Sequence, residues 1–139
     1  MEAPYFAIKP KEMNTYYLIA GALVAVAFFV HVVAGNRFYS SARPAGGRAY
    51  DAWLMGRCGM QMIAVDLALT AAFALLLGTG AIPRNRALEL FLWATYCGWT
   101  LLWLVSLAAE RARRWHYLRL YHWGLFLLVA SLLGAGMRA

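Results

Sequence analysis

Residues 51–78 read DAWLMGRCGMQMIAVDLALTAAFALLLG, an apolar run with Arg57, Gln61 and Asp66 inside it. A hydrocarbon core takes about 20 apolar residues of helix to cross, so this stretch is long enough. Inside such a span a charged side chain costs roughly 2.5–3.5 kcal/mol even on the lenient insertion scale. Three polar groups in one span therefore call for partners, and neighbouring helices must supply them.

The rest of the chain fits that setting. Of 139 residues 63% are hydrophobic and only 14% charged, with a mean hydropathy of +0.58. Soluble domains hold about 45–50% apolar residues. The net charge of +7 sits at the ends of apolar runs, the pattern of cytoplasmic membrane flanks rather than of a nucleic-acid surface. Glycine-rich nucleotide loops, the nucleophile elbow and the zinc-protease helix motif are all missing, which points away from an enzyme. Cys58 and Cys97 lie within apolar runs without a second cysteine nearby, so both are expected to be small buried hydrophobes.

Working outward, the spacing of breakers predicts an all-α, up-down bundle of four transmembrane helices over 15–35, 51–78, 86–109 and 118–136, forming one domain over 1–139. Met1–Asn14 reads as a polar tail. The run 15–35 is longer than the 7–15 residues of a signal-peptide core and lacks a cleavage site, so it is expected to stay as a helix. Residues 36–50 (NRFYSSARPAGGRAY) form a basic connector. Gly78-Thr79-Gly80 with Pro83 beyond is a stop signal. The short loop 79–85 makes helices two and three antiparallel neighbours. The segment ERARRWHYLR, residues 110–119, has the aromatic-basic character of a membrane interface.

Lys/Arg counts place eight cations on the side of the first and third connectors and five on the other. Both termini are thus expected outside a bacterial inner membrane, with those two connectors in the cytoplasm. Small residues at four-residue spacing (Gly21/Ala25, Ala64/Ala68/Ala72, Ala94/Gly98, Ala130/Gly134) predict close helix packing in lipid.

His31, Arg57, Gln61 and His122 all fall within roughly 10 Å of one membrane face at about 1.5 Å per residue. They form the candidate binding cluster. Asp66 is nine residues beyond Arg57, half a revolution round the helix, and is expected to find a hydroxyl on Thr70, Thr95 or Tyr96. Four readings compete. The polar side chains bond across helices and fix the packing of a small structural or accessory subunit, one that takes a hydrophobic small molecule at the cluster. Alternatively, His31 and His122 are axial ligands of a b-type haem, a histidine holds a chlorin pigment, or Asp66 serves a proton-coupled path. The partners expected are the lipid bilayer and other membrane subunits, and no nucleic acid.

His31-x-x-x-Gly35 closing helix one, Arg57 with a polar residue four later, and His122-Trp123 opening helix four resemble a family of small uncharacterised bacterial four-helix integral membrane proteins. In that family an Arg is followed by Trp-His in helix two, and Gln-Trp opens helix four. Met60-Gln61 and His122 stand at those places here. The resemblance implies that a histidine and a glutamine have exchanged helices, and that Gln61 touches His122.

Overall fold

The computed structural model describes residues 12–139, so all of the expected polar tail before Glu12 lies outside the described residues. Helices account for nearly all of the remainder: α1 Thr15–Ser41, α2 Gly47–Gly78, α3 Arg86–Ala109, the short α4 Arg114–Arg119, and α5 His122–Gly136. Three of them, α1, α2 and α3, are long and apolar enough to cross a membrane.

Two boundaries differ from the sequence reading. The first connector shrinks to 42–46, because Asn36–Ser41 continue α1 and Gly47–Tyr50 begin α2. Neither segment holds a proline, and Pro44 with the Gly46-Gly47 pair confines the turn. The fourth helix is not continuous over 118–136. It breaks at Leu120–Tyr121 into α4 and α5, leaving α5 with 15 residues, about 22 Å of helix.

Four helix ends meet at one end of the molecule. Asn14 caps α1, its side-chain oxygen accepting from the N–H groups of Tyr16 and Tyr17 at 3.1 and 3.3 Å. Its own backbone N–H donates to the Gly78 carbonyl closing α2 at 2.9 Å, and its Nδ2 donates to the Gly136 carbonyl closing α5 at 2.8 Å. Asn85 caps α3 in the same way as Asn14 caps α1. The four longer helices therefore run alternately up and down from this closed end.

α1 packs on α2 and on α5, and α5 packs on α3. α2 and α3 are antiparallel but do not pack closely, contrary to what their short loop suggests. Where α1 meets α2, Gly21 lies against Leu75 and Gly78 against Leu18, so the backbones approach. α3 turns its buried Tyr96 to α5 instead, the ring meeting Phe126 at 6.0 Å between centroids.

The small-residue stripes are used selectively. Gly134 lies against Trp93, whereas Ala72 and Ala94 are exposed and Gly98 has nothing close to it. The buried edge of α2 instead runs Met60, Ala64, Leu67, Ala71, Ala74 and Leu77. The cysteine expectation also fails: Cys58 is exposed and Cys97 only partly buried, because Cys58 lies off that edge.

Candidate functional site

The closed end holds one charge cluster that sequence reading missed. Glu89, in the first turn of α3, has a side chain only 3% exposed. Its Oε1 accepts from Arg84 Nε at 2.8 Å, and Arg86 Nη1 stands 3.8 Å from Oε2. Arg84 also donates through Nη2 to the Gly136 carbonyl at 3.0 Å. One guanidinium thus joins the acid at the start of α3 to the carbonyl end of α5, where a cation also favours the helix dipole. Glu89 holds Arg84 above its already high pKa, through their hydrogen bond first, so the cation persists across the working pH range. The Tyr17 ring lies against Gly136, whose carbonyl Arg84 reaches, and its hydroxyl is buried with no hydrogen-bond partner among the described residues. A carboxylate near a helix start is commonplace in sequence, and nothing local announces that this one is buried.

The other end is open, and it receives the residues singled out from the sequence. His31, about 24 Å along α1 from Thr15, donates from Nε2 to the Met60 carbonyl of α2 at 3.0 Å. The acceptor is a carbonyl, so that nitrogen carries the proton. Gly35, one turn on, leaves the space filled by the Met60 side chain; a Cβ there meets the Met60 sulfur. The His-x-x-x-Gly spacing is thereby a packing device, with both residues addressing Met60 from one face of α1. We expect His31→Ala to lower stability by about 1 kcal/mol, the value of one such bond. Gly35→Leu should cost more, as it displaces Met60. Urea titration in mixed micelles, followed by far-UV circular dichroism, reads both.

Arg57 lies a turn nearer the connector. Its Nη2 reaches Asn36 Oδ1 at 3.4 Å, and its guanidinium stands over the Trp53 ring. Gln61 is exposed on α2, and among the described residues it makes no hydrogen bond to His122 or to any other residue. The His122 ring instead lies against Trp103, 5.0 Å between centroids, and stacks on Tyr121 at 5.4 Å. His31 and His122 lie at similar heights, about 24 and 21 Å along α1 and α5 from the closed end. Asp66, about 18 Å along α2 from Gly78, is half-buried and forms no ion pair or side-chain hydrogen bond among the described residues. The Tyr96 hydroxyl is buried with no partner at bonding distance. Thr95 spends its hydroxyl on the Phe91 carbonyl.

Beside His122 the short α5 opens a cleft. Arg86–Ala109 is about 36 Å of helix, so the last turns of α3 extend beyond the start of the shorter α5. A cleft of about 420 Å³ remains, lined by Trp99, Leu102, Trp103, Leu107 and Leu120 together with the polar Ser106 and Glu110. Phe126 fixes the rings from below, packing on Trp99 at 5.8 Å and Trp103 at 5.9 Å. The corner is held by Trp123, whose Nε1 donates to the Tyr117 carbonyl of α4 at 2.9 Å. His116, expected at the interface, accepts from the Arg113 N–H and so caps α4. The Trp103 indole N–H is buried beneath this wall and has no hydrogen-bond partner among the described residues. Against known proteins, the chain matches no family model, no curated protein and no solved structure.

Proposed function

We propose that this chain is a non-enzymatic accessory protein of the bacterial inner membrane, crossing it four times, and that its aromatic cleft beside His122 takes an apolar small molecule. The observation that carries the reading is the cleft itself. Its volume lies within the 300–1,000 Å³ of ligand sites, and its lining is apolar and aromatic with few polar groups. The arginines of both connectors gather at this open end, which supports a cytoplasmic position for it.

A decyl-substituted benzoquinone tests the proposal, since it is a largely apolar molecule that quenches indole emission. Titrated into the purified protein in mild detergent, it should quench tryptophan fluorescence saturably. Leu120→Trp, which fills the cleft, should weaken the apparent affinity at least tenfold. Unsaturable quenching that Leu120→Trp leaves unchanged sinks the reading.

The similar height of His31 and His122 above the closed end favours a second reading, a b-type haem between them. It asks His31 to give up its bond to Met60 or to turn its other nitrogen outward. An absorption spectrum of protein purified from its host decides it. A Soret band lost in both His31→Ala and His122→Ala supports haem, and a colourless folded protein removes it.

A further inference from the structure

On the open end, away from the aromatic cleft, a second and smaller hollow of about 250 Å³ lies where α1 leads into α2. Ser40, Arg43, Trp53 and Arg57 line it. Both guanidiniums face the same indole: Arg43 Cζ lies 5.7 Å and Arg57 Cζ 5.9 Å from the Trp53 ring. Arg43 also stands 5.6 Å from the Tyr50 ring, which stacks on Trp53 at 5.4 Å. Trp53 is itself pinned, its Nε1 donating to the Tyr39 carbonyl at 2.9 Å. The hollow is thus a fixed aromatic floor with two cations over it.

Neither cation has a carboxylate. Among the described residues the ion pairs are those of Arg84 and Arg86 with Glu89, at the far end of the molecule. Asp51, the nearest acid in sequence, pairs with neither arginine. Among the described residues Arg57 has only the long bond to Asn36, which leaves most of its five N–H donors unused there. The Ser40 hydroxyl likewise makes no hydrogen bond among the described residues, whereas Ser41 spends its own on the Phe38 carbonyl. Two like charges held beside one hollow repel each other unless an anion lies between them. The donor set of two planar forks and a hydroxyl matches the tetrahedral oxygens of phosphate.

Height narrows the source. Arg57 and Trp53 lie about 32 and 38 Å along α2 from Gly78 at 1.5 Å per residue. If the closed end marks one boundary of a hydrocarbon core about 30 Å thick, this hollow falls in the headgroup layer of the opposite leaflet. Trp and Tyr collect at that depth, and on the cytoplasmic side it is rich in anionic lipid.

We infer that Ser40, Arg43 and Arg57, over the Trp53 floor, bind a phosphate group, and that the headgroup phosphodiester of an anionic phospholipid supplies it. The site is independent of the cleft beside His122, and either can fail alone.

Native mass spectrometry of the full chain, released from micelles containing equal phosphatidylglycerol and phosphatidylcholine, tests this. One phosphatidylglycerol should stay bound, preferred over phosphatidylcholine by on the order of tenfold. The Arg43→Gln/Arg57→Gln protein should show no preference, and Arg43→Lys/Arg57→Lys should keep part of it. Arg114→Gln/Arg119→Gln removes the same charge from the other connector and should change nothing, which separates a site from general attraction to a basic surface. Far-UV circular dichroism confirms that each variant is folded. Absence of lipid preference, with tryptophan emission that responds to millimolar inorganic phosphate only while both arginines are present, keeps the phosphate site and assigns it a soluble ligand. Equal retention of both lipids with no response to phosphate overturns the inference. So does a preference that Arg43→Gln/Arg57→Gln leaves intact.

Discussion

Replacing Glu89 by alanine is expected to lower the unfolding free energy in detergent by about 2–3 kcal/mol, a large share of a small protein's stability. The carboxylate is buried, and it accepts a short bond from Arg84 with Arg86 nearby. Breaking a fully buried ion pair costs about 3–5 kcal/mol, most of it from the charge left behind. Here the Arg84 side chain is 48% exposed, so water recovers part of that loss and the lower range applies. Glu89→Gln should cost only about 1 kcal/mol, since the amide oxygen still accepts from Arg84 while the charge is gone. Arg84→Ala should approach Glu89→Ala from the other side, leaving a buried carboxylate whose nearest cation is 3.8 Å away. It also strips a donor from the Gly136 carbonyl. Unfolding by urea in mixed micelles, followed by circular dichroism, reads all three. Equal stability of Glu89→Ala and the parent protein would mean that this cluster does not hold the helix ends together.

The placement of Glu89 shows where sequence reading stops. Its partners are a loop arginine five residues back and, through that arginine, a carbonyl 52 residues from Arg84. No periodicity or composition carries such a relation. The long helices were legible because each apolar run is bounded by breakers: Gly78 to Pro83 end α2, and Asn85 opens α3 as a cap. The division of the fourth helix was not. RWHYLR and the run after it both favour helix, and the break at Leu120–Tyr121 contains neither glycine nor proline. The cleft beside His122 exists because of that break, so it too lay beyond reach.

The sequence singles out His31, Arg57, Gln61, Asp66 and His122 as polar residues in apolar runs, but not what each of them meets. His31 spends its proton on a backbone carbonyl, an acceptor every residue carries and no motif reveals. The exchange suggested by the family resemblance, with Gln61 against His122, has no hydrogen bond to support it; His122 meets Trp103 and Tyr121. Small residues misled for a related reason. Spacing shows which glycines share a helix face, but only the partner helix decides which of them it approaches.

Gly78→Val is expected to disrupt the closed end by about 3 kcal/mol, and even Gly78→Ala by about 1–3 kcal/mol. In a helix interior, glycine to alanine ordinarily gains up to about 1 kcal/mol. At Gly78 the sign reverses, because a Cβ would lie 2.8 Å from the backbone nitrogen of Leu18 and 2.9 Å from that residue's Cγ. A side chain can rotate away, but the backbone of α1 moves only if the helix moves. Moving it stretches the 2.9 Å bond from the Asn14 N–H to the Gly78 carbonyl, and with it the second bond from Asn14 to Gly136. Gly98→Ala is the contrast within the same chain. That glycine also sits in a long helix, but a Cβ there would meet nothing within 4 Å, so the substitution should be neutral or stabilising by up to about 1 kcal/mol. Asn14→Ala removes the side-chain cap of α1 and the bond to Gly136, while the backbone bond to Gly78 stays available. Without the cap the first turn of α1 is held less firmly, so it yields more readily to a methyl group at Gly78. A double-mutant cycle of Asn14→Ala with Gly78→Ala should therefore cost less than the sum of the singles by at least about 0.5 kcal/mol. Strict additivity would place the cost of Gly78→Ala in the local clash alone, with the Asn14 bonds left undisturbed.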